Sequence, residues 1–189
     1  APSQGGQLDA GTYTRIAVGG TAATPMVGAI WSSSVSPHEV GRVDLATGRW
    51  SALTTFSTAR AAAIDWQPAE TFWFTSKRGK QIHNLVVKPP GFDPKKKYPL
   101  FVVIHGGPHN MWKDDFVLRW NYHLLASPGY VVLLTNYSGS TGFGEAFARS
   151  IQGDPLEGPA NEVNEAAEVI KSSARSAGSW TDMTVMTAA

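Results

Sequence analysis

The chain of 189 residues contains no cysteine, which removes disulfides, thiolate nucleophiles and cysteine-ligated zinc together. The absence of cysteine does not by itself choose a compartment. No apolar run approaches the roughly 18–20 residues that a helix needs to span a bilayer. Net charge is nearly absent as well: 16 Lys and Arg stand against 15 Asp and Glu, leaving +1. Neither nucleic acid nor an acidic membrane surface is therefore an expected partner. The chain begins APSQGG, without Met and without a basic-then-apolar signal pattern, so the N-terminus is expected to be a cut or processed end. No Gly-Lys-Ser/Thr phosphate loop occurs. Nor does G-x-S-x-G, the turn that presents a serine nucleophile in α/β hydrolases, occur anywhere in the chain.

What is present suits a folded protein, with 42% hydrophobic and 16% charged residues. After a loose, polar stretch over residues 1–12, short β segments follow at 14–18, 27–31, 39–45 and 49–53, divided by Gly, Ser, Pro and Thr. Strands this short and closely spaced predict an antiparallel sheet, a sandwich or a propeller blade. Trp66-Gln67-Pro68 marks the expected crossing into a second domain. There, residues 71–75 and 82–87 predict a strand pair, and Lys95-Lys96-Lys97 a solvated loop. Residues 114–125 are read as a crossover helix, and 161–171 as an amphipathic helix with Val163, Ala166, Ala167 and Ile170 at i, i+3, i+4 and i+7, capped by Asn161. Past Lys171 the sequence is small, polar and aperiodic, and no strand is expected.

The centre of the chain is residues 99–110, PLFVVIHGGPHN. Four of the five residues from Leu100 to Ile104 are β-branched or aromatic, a run too short for a useful helix and suited to a buried strand. His105-Gly106-Gly107-Pro108-His109 then ends it. The glycines let the backbone adopt unusual dihedrals and bring N–H groups close to a ligand. By itself, Gly-Gly-Pro reads equally as a simple turn. A second apolar run, residues 130–134, is expected to lie parallel to the first and leads into Asn136-Tyr137-Ser138-Gly139-Ser140-Thr141-Gly142-Phe143-Gly144. That loop either flanks a cleft at the strand ends or serves only backbone turns.

Together HGGPH and GYVVLLTNYSGSTGFGEAF, with KPPGFDPKKKYP before them, closely resemble the prolyl oligopeptidase family of serine peptidases, in its acylaminoacyl-peptidase and dipeptidyl-peptidase-like branch. The resemblance implies an α/β fold: the front part of an α/β-hydrolase domain over residues 66–171, preceded by the end of a β-propeller over 1–65 and followed by an atypical tail over 172–189. Gly41 stands where a blade of the family is expected to carry a large aromatic. The resemblance implies that the backbone N–H of Gly107 faces a substrate carbonyl oxygen, with Gly106 and His105 beside it, His105 taking the place of a tyrosine hydroxyl used in other branches. Tyr137 and His109 are the candidate substrate contacts. An oxyanion donor of this kind is typically worth about 2.7–4 kcal/mol of barrier. By chain order the family's Ser, Asp and His are all expected beyond Ala189, because neither Ser138 nor Ser140 has glycine at both −2 and +2.

Competing chemistry fails on inspection. His105 and His109 have the spacing of a zinc pair, but Gly-Gly-Pro between them is not helical and no Glu follows His105. Gly139, Gly142 and Gly144 are in the wrong order for a dinucleotide fingerprint. No metal or cofactor is expected, and the expected partner is a peptide substrate. Two readings remain: part of a serine peptidase acting through an acyl-enzyme, or a non-catalytic α/β segment that at most binds a partner through exposed sheet edges.

Overall fold

The computed structural model of the chain describes residues 8–176 and 186–188. It separates into two compact units, one of residues up to Trp66 together with Lys113–Arg119, the other of Gln67–Trp112 and the residues from Trp120 on. Among the described residues no helix is long and apolar enough to cross a membrane.

The first unit is a four-stranded antiparallel meander, β1 (Thr12–Gly20), β2 (Pro25–Ser33), β3 (Ser36–Val43) and β4 (Trp50–Ala52), each strand paired with the next. A short helix, α1 (Thr58–Ala61), follows. The missing aromatic at position 41 has a physical explanation. A Cβ on Gly41 would meet the Trp50 ring at 2.4 Å, so Trp50 of the neighbouring strand already fills that space. Its ring also packs against Tyr13 and Trp31, with centroids 6.0 and 6.1 Å away. Glu39, 6% exposed, ties the sheet to the loop after it. Its carboxylate accepts Thr54 Oγ1 at 2.5 Å and the Ser57 N–H at 2.7 Å, and these bonds, the Thr54 hydroxyl foremost, lower its pKa against the opposing effect of burial.

Residues 113–119 contradict the expected helix over 114–125. Asp114 accepts the Ser34 N–H at 2.6 Å and Asp115 accepts Ser32 Oγ at 2.5 Å, so this segment runs as irregular chain against the first sheet. Its apolar residues Phe116, Leu118 and Trp120 alternate in twos, which is not a helical period. Only α2 (Tyr122–Ala126) is helical, started by Asn121, whose Oδ1 accepts the N–H groups of His123 and Leu124 at 3.1 and 3.0 Å.

The second unit holds a five-stranded sheet of β5 (Glu70–Thr75), β6 (Gln81–Val87), β7 (Leu100–Val103), β8 (Val131–Asn136) and β9 (Met186–Ala188), in the order β5-β6-β8-β7-β9. β5, β6 and β8 pair antiparallel; β8, β7 and β9 run parallel. Every residue of β8 is buried, as a central strand covered on both faces requires. β9 corrects the expectation that the tail holds no strand: Met186–Ala188 pairs with Phe101, Val102 and Val103. Such a short segment gains its β structure from the waiting edge of β7 rather than from its own composition.

α4 (Glu157–Ser176) lays Val163, Ala166, Ala167 and Ile170 on Val86, Leu100, Val102, Val131 and Leu133. It begins four residues before the expected Asn161 cap. Pro159 is at home in a first turn, and the Asp154 carboxylate accepts the Gly158 N–H at 3.0 Å. Between β8 and α4 lies one further short helix, α3 (Glu145–Arg149), whose Glu145 and Arg149 pair at 2.7 Å.

Candidate active site

β7 and β8 are parallel neighbours, so their C-terminal ends deliver residues 104–109 and 137–144 to the same edge of the sheet, where ligands of α/β proteins gather. An apolar cleft of about 310 Å³ opens there, bounded by Ile104, Gly107, Pro108 and Tyr137 and, opposite, by Ile151, Leu156 and Val163. Gly107 has φ +105°, which a side chain would strain, and a Cβ built on it would meet nothing within 4 Å. Its backbone is thus open to a ligand rather than crowded by the fold.

His105 is 4% exposed and turned inward. Its ring stacks on Tyr137, with centroids 4.5 Å apart. Ser140 Oγ donates its single proton to the Tyr137 carbonyl at 2.7 Å, so the 2.9 Å contact between His105 Nε2 and Ser140 Oγ makes Nε2 the protonated nitrogen. Nδ1 is then bare, 3.3 Å from the Tyr137 hydroxyl, which donates to the His105 carbonyl. The 3.4 Å separation of Nδ1 from the Gly106 carbonyl is too long to reverse this assignment. Burial lowers the pKa of His105, against a weaker upward pull from Gly106, and it raises that of Tyr137.

Of the residues singled out in the sequence, Gly107 and Tyr137 share the cleft wall. Gly106 is exposed beside it, and a Cβ built on it would meet nothing within 4 Å. The His105 ring, occupied by Ser140 and Tyr137, does not line the cleft. Nor does His109, whose Nε2 donates to the Ala148 carbonyl at 3.2 Å. Ser138 and Ser140 are fully buried, an environment without a nucleophile's access.

Three polar residues that sequence reasoning passed over hold the loops in place. Asn136 accepts the Trp112 N–H at 2.7 Å and donates to the Trp112 carbonyl at 2.9 Å and to His83 Nδ1 at 3.0 Å. Glu162, fully buried, accepts both the N–H and the Oγ–H of Ser138 at 2.7 Å. Arg78 lies 3.2 Å from Asp154 and 3.8 Å from Glu162. For Glu162 the available signal was a charged residue within the apolar stripe of α4. Among the described residues no His, Asp and Glu cluster has the arrangement of a metal site.

The model of the prolyl oligopeptidase family matches residues 116–184. Dipeptidyl-peptidase 5 of Schizosaccharomyces pombe is 41% identical over 102 residues, 54% of this chain and 15% of that protein. The Arthroderma otae dipeptidyl-peptidase 5 is 47% identical over 85 residues, 45% of this chain and 12% of that protein. Over these residues the chain is similar to the prolyl oligopeptidase family. It spans less than one sixth of the length of these relatives.

The fold agrees with that of solved peptidases. An acylaminoacyl peptidase in complex with Z-Gly-Gly-Phe-chloromethyl ketone superposes with a TM-score of 0.76 at 19% identity, over 96% of this chain and 28% of that one. Dipeptidyl peptidase 4 of Porphyromonas gingivalis gives 0.69 at 21% identity, over 96% and 26%. These neighbours combine a β-propeller with an α/β-hydrolase domain, and this chain shares their fold over part of that length.

Proposed function

We propose that this chain is part of a serine peptidase that hydrolyses peptide bonds of short peptides through an acyl-enzyme. In this reading residues 1–65 end a propeller and residues 66–171 open the peptidase domain. The chain supplies the oxyanion strand and loop, while the nucleophile, carboxylate and base come from sequence outside these 189 residues. The observation that carries the reading is Gly107: a glycine of positive φ at the end of a buried parallel strand, unobstructed and on the wall of an apolar cleft. Backbone N–H groups so placed stabilise the charge that develops on a carbonyl oxygen during acyl transfer. Similarity to the family and the shortness of the matched segment support the division of labour, and so does the lack of G-x-S-x-G. In this reading β9, parallel to β7, stands for the strand that the resemblance puts before the serine turn. The peptide ligand named for the acylaminoacyl peptidase favours a peptide substrate here.

A serine-reactive fluorophosphonate probe tests this. The 189-residue chain is expected to remain unlabelled, and stoichiometric labelling of one of its serines overturns the reading. A polypeptide extended by the coding sequence that follows residue 189 is expected to label at a serine within G-x-S-x-G. An extension that offers no such serine leaves the non-catalytic binding segment as the better reading.

A further inference from the structure

We propose that Glu162 is a positioning residue for the Gly107 loop, acting through Ser138; this rests on the reading of Gly107 as an oxyanion donor. Glu162 sits on α4 beside Val163 and Ala166, both buried against the sheet. An apolar side chain would satisfy the packing there, and a carboxylate with no exposure is costly unless it is well paired. Both of its oxygens are committed to one residue, Oε2 to the Ser138 N–H and Oε1 to the Ser138 Oγ–H, each at 2.7 Å. Arg78, 3.8 Å from Oε1, supplies the compensating charge and is itself 3.2 Å from Asp154.

Ser138 is flanked by the two groups that hold His105. Tyr137 stacks on the imidazole and donates to the His105 carbonyl, and Ser140 Oγ accepts the Nε2–H hydrogen bond. Gly106 and Gly107 follow His105 directly and have no side chains of their own to fix them. A carboxylate on the helix thus sets the loop after β8, that loop sets His105, and His105 sets the root of the glycine pair.

The test is made on the full 189-residue chain without substrate, so its failure is independent of whether the chain serves a peptidase. The ¹⁵N imidazole signals of His105 and the amide signal of Gly107 are followed in the parent, Glu162→Ala, Glu162→Gln and Ser138→Ala. The parent is expected to show one neutral Nε2–H form. Glu162→Ala is expected to admit the second tautomer, to move the Gly107 amide signal and to speed Ser138 amide exchange roughly tenfold or more. The Leu133 and Leu134 amides, inside β8, stay protected. Glu162→Gln, whose amide oxygen still accepts the Ser138 N–H, is expected to restore the parent His105 signal. Unchanged His105 and Gly107 signals in Glu162→Ala overturn the proposal. Should Glu162→Ala lose β8 protection, Ser138→Ala decides instead: a displaced Gly107 signal with β8 intact supports the proposal, and an unmoved one overturns it.

Discussion

Two glycine loops leave adjacent parallel strands at the same edge of the sheet, and they use glycine for opposite reasons. After β8, a Cβ on Gly139 would lie 2.8 Å from Ile151 Cδ1 and 2.9 Å from Ile151 Cβ, and one on Gly142 would lie 2.7 Å from Met111 Sδ. At those two positions the fold presses on the loop, whereas a Cβ on Gly144 would meet nothing within 4 Å. After β7, a Cβ on Gly106 or Gly107 would meet nothing within 4 Å. That loop keeps glycine with empty space around it, which leaves room for a ligand to approach the backbone. A glycine-rich stretch is therefore not one kind of evidence: Gly139 and Gly142 sit where the fold is crowded, and Gly106, Gly107 and Gly144 do not.

The sharpest way to break this contrast is Gly139→Ala. Its φ of +98° disfavours a side chain, and the new methyl overlaps the branched root of a 7% exposed isoleucine rather than a flexible tip. Strain and overpacking together are expected to cost about 2–4 kcal/mol, read as a lowered urea midpoint with unchanged slope. Gly107→Ala shares the positive φ but not the overlap, so its expected cost is about 1 kcal/mol. Equal losses for the two variants would show that the space around Gly107 is not open.

Acid should strike the roots of both loops. His105 lies under the open loop, and His83 lies under the closed one, packed against Trp73 and Phe143 at 4.8 and 5.6 Å and accepting from Asn136. Burial lowers both pKa values in the folded state. The unfolded chain then binds these protons more readily, so stability is retained above the ordinary histidine pKa of about 6.5 and falls as pH drops through it. Glu39, with its lowered pKa, adds a separate loss that starts only as pH falls below the ordinary glutamate value of 4.5. Urea midpoints at pH 7.5 and 5.5 are expected to differ in the parent and to differ less in His105→Gln. A parent midpoint that rises on acidification would contradict the neutral, inward-turned His105.

The sequence made the backbone of this arrangement legible where a pattern is local. The runs LFVVI and YVVLLTN are too apolar and too short for anything but buried strands, and Val163, Ala166, Ala167 and Ile170 announce the inner face of α4. It failed where structure is imposed from a distance. Asp114 and Asp115 give up a helix for bonds to Ser34 and Ser32, some 80 positions away. β9 exists because β7 offers an edge. In the site, HGGP pointed to Gly107, but the inward turn of His105 depends on Tyr137 and Ser140, 32 and 35 positions later, and no local rule pairs them.

Gly106→Ala should have the smallest effect, and for that reason it is the most discriminating. Its φ is not positive, its surroundings are empty and it is exposed, so none of the mechanisms that make Gly139 costly operates. The expected change in stability is within about 0.5 kcal/mol, and it is stabilising if the reduced freedom of the unfolded chain dominates. A glycine that contributes nothing to folding and yet stands beside Gly107 fits the proposed approach of a ligand to the backbone. A loss above about 1 kcal/mol for Gly106→Ala would mean instead that both loops are scaffold, and the contrast between them would disappear.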